Sequence, residues 1–305
     1  MENLFVIIVT YNGEKWIEKC LSSVYKSTIP LTTIVIDNKS SDNTVQYIKT
    51  NFPMVILFEY QNNLGFGKAN NIGIEYALKN NADYIYLLNQ DAWVDPNTFE
   101  SIIEIQKLNP SFGVLSPMQM NATRDKFDNY FASLAIGKNK ENILSDIYLN
   151  KYKEVYDTDF IMAAHWLISK ECIIRIGGFS SIFHHYGEDN NFLHRLHFHG
   201  YKSGICPYLR VTHDREDRKR KPSELFYLKY TSAFLVELNN INNSLTKCIV
   251  KAYSTLIKDE IIYCIKYKSL RPLIYLWKSL FIINKMLHNR KVTQKGGLCF
   301  LNTNN

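Results

Sequence analysis

Leu4-Phe-Val-Ile-Ile-Val-Thr10 is an unbroken apolar run. So short a run, with no polar residue alternating through it, fits a strand covered on both faces by other elements. The same signal returns along the chain. Ile17, Cys20, Leu21 and Val24 recur at helical spacing after a Tyr11-Asn12-Gly13 turn, and Thr33–Asp37 reads as a second strand. The polar cluster Asn38–Asn43 can cap a helix carrying Val45 and Ile48. Val55–Tyr60 is a third strand, with a loop at Gln61–Gly67 and a helix through Ile72 and Tyr76. Tyr84-Ile-Tyr-Leu-Leu-Asn-Gln-Asp91 is a fourth strand; Asp95-Pro96 then opens a helix to Leu108, and a strand follows near Val114–Pro117. Alternating strands and helices predict an α/β chain with a mainly parallel sheet flanked by helices.

Four predicted strands end in polar tips: Thr10-Tyr11-Asn12, Asp37-Asn38, Asn63-Leu64-Gly65 and Asn89-Gln90-Asp91. In a parallel sheet such ends lie along one edge, where ligands of open α/β sheets bind. Any one tip is explained by turn formation alone; four on one edge make a pocket. There Asp37 can accept from a base N–H, Tyr11 can stack on its face, and Asp91 can hold a divalent cation against phosphates. Gly65 and Gly67 would let backbone approach a ligand closely. A dinucleotide fold is the obvious rival, but Gly65-Phe-Gly-Lys-Ala-Asn70 fails GxGxxG at its last position and follows the third strand rather than the first.

Residues 120–157 lose the rhythm and turn polar, as an insertion over the active edge would. Periodicity resumes at Asp159–Ile168, with a short helix at Lys170–Ile176 and a break at Gly177-Gly178. A helix at Glu188–His199 and a last strand at Gly204–Val211, ending at His213, complete this part. The net charge of +7 is uneven: 17 Lys+Arg face 6 Asp+Glu from Arg215 onward, against 19 and 23 before it. In this tail Ile249, Ala252, Tyr253, Leu256, Ile257, Ile261, Cys264 and Ile265 line one helical face. Leu273, Leu276, Trp277, Leu280 and Ile283 line another. Two readings stay open: helices packed on each other and on the sheet domain, or a basic amphipathic surface at 245–290 resting on an anionic membrane. Six cysteines without a CxxC pair fit a reduced, cytoplasmic compartment. The start of the chain carries no basic n-region, so no signal peptide is expected, and no apolar stretch reaches the roughly 18 residues of a membrane span.

These segments resemble the family 2 glycosyltransferases of GT-A fold, in particular their rhamnosyltransferase-like branch. The resemblance rests on Val9-Thr-Tyr-Asn12, Val35-Ile-Asp-Asn-Lys-Ser-Ser-Asp-Asn-Thr44, Asn63-Leu-Gly-Phe-Gly-Lys-Ala-Asn-Asn71 and Leu88-Asn-Gln-Asp91. It continues through Gly177-Gly-Phe179, Tyr186-Gly-Glu-Asp189 to Arg195, Gly200-Tyr201 and His213, and so covers residues 4–213. It implies a domain at 1–214, with a donor half at about 1–119 and an acceptor half at about 120–214, followed by a basic helical extension at 215–305. The implied activity is transfer of a sugar from a UDP- or dTDP-sugar to a hydroxyl of a glycan or lipid-linked acceptor, with inversion, in bacterial surface-polysaccharide or O-antigen assembly. Thr10, Tyr11, Asn12, Asp37, Asn38, Asn63, Gly65, Phe66, Asn70, Asn89 and Asp91 become donor-site residues. Asp91 and His213 become ligands of Mg²⁺ or Mn²⁺. Asp189 becomes the base, with Glu188 positioning it or the acceptor, and Trp166 and Arg195 fall on the acceptor side. The implied place is the cytoplasm, including the cytoplasmic face of the inner membrane.

The residues also allow plainer readings. Glu188 and Asp189 open a helix, where the dipole alone favours acids. His213 reads equally as a solvated strand end, and Trp166 as a core residue. Two positions depart from the family pattern: Asn191 stands where a second aspartate is frequent, and Ser180-Ser181 where an acidic pair is common. A nucleotidyltransferase would carry a glycine-rich basic loop after the first strand, which Thr10-Tyr-Asn-Gly-Glu14 does not supply. A non-catalytic sugar-binding module would need no base, and a nucleic-acid role lacks any accompanying module.

Overall fold

The computed structural model describes residues 2–137, 141–215, 221–270 and 273–302. At its centre lies β1 (Leu4–Thr10), paired in parallel with β2 (Thr32–Asp37) on one side and β4 (Tyr84–Asn89) on the other. Its side chains alternate between two cores, Leu4, Val6 and Ile8 entering one and Phe5 and Ile7 the other. All five are buried. At roughly 1.5–3 kcal/mol for each such side chain, burial outweighs the ~1 kcal/mol span of strand propensity as the reason this run sits in the middle.

The first face is covered by α1 (Ile17–Tyr25), α2 (Thr44–Asn51) and, further along the chain, α4 (Thr98–Leu108). The other is covered by α3 (Phe66–Lys79), with α6 (Lys170–Ile176) and α7 (Glu188–Phe198). β3 (Ile56–Glu59) extends the parallel part beyond β2. On the other side the sheet becomes mixed. β8 (His165–Ser169) runs antiparallel between β4 and β6 (Phe112–Met120), and β9 (Lys202–His213) pairs in parallel with β6. The two-residue strands β5 (Ala92–Trp93) and β7 (Tyr156–Asp157) each lie antiparallel to β9.

Between β6 and β7, a π-helical turn at Phe131–Ile136 and α5 (Ile143–Tyr148) form the expected insertion. It has a small core of its own, with Phe131, Ala135 and Ile143 packed among Met118, Tyr156 and Ile161. Residues 216–220, at the boundary expected between the domain at 1–214 and its extension, lie outside the described residues.

The tail comprises α8 (Pro222–Lys229), a π-helical segment at Tyr230–Leu235, α9 (Val236–Leu238), and the long helices α10 (Leu245–Tyr267) and α11 (Leu273–Lys295). The apolar face expected on α10 is split in the fold. Cys248, Ala252, Leu256, Glu260 and Tyr263 are its buried residues, whereas Ile257, Ile261 and Ile265 point outward. Tyr263 and Tyr275 pack on Phe226, which decides the side that faces inward. Glu260 lies in the same seam, and its carboxylate accepts from Leu276 N–H in the first turn of α11 (2.7 Å).

The tail is fastened to the sheet domain. Within the tail, Arg290 ties α11 to the α9–α10 connection by donating to the carbonyls of Leu238, Asn240 and Asn243. Asn289 links Asn239 to Ser180. After α11 the chain returns over the Gly177-Gly178 break, where Gly178 N–H donates to Cys299 O and Gly297 N–H to Arg175 O. No helix among the described residues is long and apolar enough to cross a membrane.

Candidate active site

The strand register aligns the polar tips. Thr10 lies opposite Asp37, Asp37 opposite Glu59, and Val9 opposite Asn89. Gln90 ties the two central tips together: its Oε1 accepts from Thr10 Oγ1 (2.7 Å) and Tyr11 N–H (2.9 Å), and its Nε2 donates to Tyr11 O (3.2 Å). Asn12, in the left-handed region at φ 49°, joins the end of β1 to the turn after β2 by accepting from Ser41 N–H (2.8 Å). Asn38 donates to Asn63 Oδ1 (3.0 Å) and accepts from Leu64 N–H, while Asn63 Oδ1 also accepts from Gly65 N–H. Asn38 and Asn63 therefore shape the loop as well as border it.

Two groups on this edge remain unsatisfied or open. Asp37 is buried; its Oδ2 accepts from Ser40 N–H (3.0 Å), but Oδ1 has no hydrogen-bond partner among the described residues. An orphaned buried acceptor is costly unless a ligand completes it. Tyr11 beside it is half exposed.

Asp91 follows β4, and the β5–β9 pairing sets Ala92 opposite His213. His213 Nε2 consequently stands 3.6 Å from Asp91 Oδ1. That separation is long for a hydrogen bond but suits two ligands sharing one ion. Burial opposes ionisation of Asp91, yet the neighbouring His213 and the Arg215 charge outweigh it and hold the carboxyl below its usual range. Among the described residues no cluster of three or more His, Cys, Asp or Glu side chains could hold a metal. A pair fits an ion that takes most of its shell from substrate phosphate and water, as Mg²⁺ commonly does.

The start of α7 packs against the glycine loop of this edge. Gly187, at φ 90°, turns the chain into the helix at Glu188 and Asp189. Glu188 is buried and its Oε2 has no partner among the described residues; Asp189 Oδ1 accepts from Asn190 N–H (2.8 Å). Burial raises the pKa of both, and for Glu188 the adjacent Asp189 charge raises it further. The glycine loop adjoins this segment. A Cβ on Gly65 (φ 80°) would collide with His184 O, and one on Gly67 would lie 2.9 Å from Phe179 Cβ and 3.6 Å from Glu188 Cβ.

A family model described as "Glycosyl transferase family 2" matches residues 5–172, from β1 to α6. The chain belongs to glycosyltransferase family 2. It is 27% identical over 160 residues to glycosyltransferase GlyA of Streptococcus pneumoniae, a match spanning 51% of this chain and 20% of GlyA. It is 24% identical over 235 residues to N-acetylglucosaminyl-diphospho-decaprenol L-rhamnosyltransferase of Mycobacterium tuberculosis, covering 69% of this chain and 75% of that one. In fold it is similar to mannosyltransferase PcManGT of Pyrobaculum calidifontis, solved with GDP-Man and Mn²⁺. There the TM-score is 0.53 at 17% identity, over 96% of this chain and 84% of that one.

Within this family 2 fold, three expected contacts lie in the interior instead. Trp166 is fully buried on β8, stacked on Phe179 at 6.2 Å and tilted against Phe192 at 5.4 Å. Arg195 is fully buried, donating to Ile176 O, Gly178 O and Asn191 Oδ1, with Phe192 against its guanidinium. Neither is placed to touch an acceptor; Arg195 instead holds the Gly177-Gly178 break in shape. Asn70 is also buried, its amide donating to Phe66 O one turn back in α3 (3.0 Å). Phe66 packs edge-on against Phe179 (5.9 Å). Asn191, the departure from the family pattern, accepts from Arg195 Nε (3.2 Å).

Sequence reasoning missed Gln90 as the clamp between strand tips, although it lies inside a noted tip. It also missed Arg215, taken there as part of a boundary. Arg215 sits over Tyr130 (4.7 Å), with Nε 3.6 Å from Asp128 Oδ2, and its charge acts on both Asp91 and Asp189. Its place two residues after His213 was the available signal.

Proposed function

We propose that the protein is an inverting glycosyltransferase that moves a sugar from a UDP- or dTDP-sugar to a hydroxyl of a glycan or lipid-linked acceptor. In this reading it assembles a bacterial surface polysaccharide of the O-antigen type at the cytoplasmic face of the membrane. One observation carries it: the sheet edge bears the Asp91–His213 pair, and the glycine loop on that edge packs against the start of α7, where buried Glu188 and half-buried Asp189 lie side by side.

Asp37 Oδ1, which lacks a partner, would accept from the donor's base, and Tyr11 would stack on that base. Asp91 and His213 would hold Mg²⁺ or Mn²⁺, which when bound supplies neutralisation of charge on the departing diphosphate. Arg215 adds a fixed positive charge between the two halves of the site. Asp189 takes the proton of the acceptor hydroxyl as that oxygen attacks the anomeric carbon. The bond to the diphosphate breaks on the opposite face, which gives inversion and releases the nucleoside diphosphate. Glu188 sets the field around Asp189. The retention of a base beside the donor edge favours catalysis over simple sugar binding.

A thermal-shift panel of UDP-, dTDP- and GDP-sugars, with and without Mn²⁺ or Mg²⁺, tests the donor site, because a ligand specific to the native state raises stability by mass action. One nucleotide family should stabilise the protein in a metal-dependent way, and Asp91→Ala should abolish the response. A folded protein indifferent to every donor overturns the reading.

A further inference from the structure

The outward side of the α10–α11 hairpin leaves large apolar side chains in water. Ile261, Ile265 and Leu270 on and after α10 and Trp277, Leu280 and Phe281 on α11 are all exposed, Ile265 by 73%, Trp277 by 61% and Phe281 by 68%. Trp277 and Phe281 stack edge-to-face on each other (4.7 Å), out in solvent. The opposite side of the same hairpin is satisfied by Leu256, Tyr263 and Met286 in the tail core, so the outward side is surplus to folding. A patch of this kind marks an interaction surface.

Its charge selects the occupant. Residues 245–295 contain 11 Lys+Arg and only two acids, Asp259 and Glu260. Asp259 is paired with Lys229 (2.9 Å), and Glu260 is buried against Leu276. Lys258, Lys266, Lys268, Lys278 and Lys285 are exposed around the apolar side chains, without an exposed acid on the hairpin to offset them. A second copy seated on the same face would set lysines against lysines. An anionic bilayer instead accepts the aromatic and aliphatic residues at its acyl boundary and the lysines at its headgroups.

We infer that the outward face of α10 and α11 is a docking surface for an anionic lipid bilayer, the hairpin lying along it rather than crossing it. The surface deepens the lipid-linked-acceptor reading and rests on it for purpose alone, since docking and donor binding are measured separately. It differs from the stripe anticipated from spacing. Ala252 and Leu256 of that stripe face the core, while Leu270 and Phe281 join the exposed side.

The test uses the full chain in flotation with phosphatidylglycerol–phosphatidylcholine vesicles and with pure phosphatidylcholine vesicles, alongside analytical ultracentrifugation without lipid. Partition into the anionic vesicles should be on the order of tenfold stronger and should weaken with added salt. Trp277→Ser combined with Phe281→Ser should lower that partition on the order of tenfold, leaving Tm and the donor-induced thermal shift intact. Substituting Lys266 and Lys278 by Gln should reduce the preference for anionic lipid while the protein stays folded. Equal partition of the Trp277/Phe281 variant and the unaltered chain overturns the inference. So does no partition at low salt, or a lipid-independent dimer dissolved by the same two substitutions. Vesicle binding without any donor response would sink the catalytic reading and leave the docking surface standing.

Discussion

Asp91 and Asp189 are both largely removed from solvent, both stand at the end of a secondary-structure element, and both feel the charge of Arg215, yet their surroundings push them in opposite directions. Burial opposes charge at each. At Asp91 the His213 ring and Arg215 overcome it, and the carboxyl titrates below its usual range. At Asp189 burial prevails over the bonds from Asn190 and the Arg215 charge, and the carboxyl titrates above it. Two carboxylates that share the charge of Arg215 but are separated in proton affinity by their other neighbours can divide chemistry between them. In the proposed reading the low one stays ionised to hold a cation, and the high one takes up a proton. The difference is made by partners from β9 in one case and by their absence in the other, not by the aspartates themselves.

The sharpest way to break this division is at the base. Asp189→Asn should lower kcat by about 10³-fold, within the range for losing a positioned proton acceptor, while the metal-dependent thermal shift with donor persists. If transfer survives with kcat intact, the proton goes elsewhere and the division of labour fails. Asp91→Asn should do the reverse. Its metal-dependent thermal shift should vanish, with a loss of about 10²-fold in kcat/KM corresponding to a few kcal/mol of charge stabilisation. An Asp91→Asn protein that still responds to metal and donor together would remove Asp91 from the cation site.

Much of this contrast could be read before the fold was known, and its limits are physical. β1 at Leu4–Thr10 and α6 at Lys170–Ile176 match their predicted spans because local periodicity dictates them. The alignment of Thr10, Asp37 and Asn89 follows from parallel pairing, which a repeated strand–helix order implies. The antiparallel entry of β8 between β4 and β6 depends instead on the path of the insertion at 120–157, which has no repeating pattern and is well beyond the ~12–15 residues of an ordinary loop. Of the two readings of Trp166 the core one holds, while Arg195 was misplaced for a related reason. Arg195 finds its partners in the carbonyls of Ile176 and Gly178, and backbone carbonyls leave no trace in residue identity. The inward side of α10 was equally hidden, since its apolar residues wrap most of the helix and Phe226, Tyr263 and Tyr275 select the packed side. Arg215 acquires its role only once β9 carries it past Asp91.

The subtlest change separates Glu188 from Asp189. Both acids have raised proton affinity, so the rate should climb with pH through an apparent pKa above the usual carboxylate range as the pair loses its protons. Glu188→Gln removes one negative charge beside Asp189. The remaining carboxyl then ionises more readily, and the ascending limb should move to lower pH with the high-pH plateau largely kept. Linkage gives a second readout of the same sign. A carboxyl whose folded pKa exceeds its unfolded value binds more protons in the folded state, so its contribution opposes folding increasingly as pH rises from the ordinary carboxylate range toward the folded pKa. Replacing Glu188 by Gln should therefore raise Tm relative to the unaltered protein most above that window, and least in acid. Rate profiles and melting curves of the two proteins at matched pH check both. An unmoved limb would mean that Glu188 does not set the field at Asp189. Loss of the plateau itself would assign the proton transfer to Glu188, and the contrast with Asp91 would then have to be drawn one residue earlier on α7.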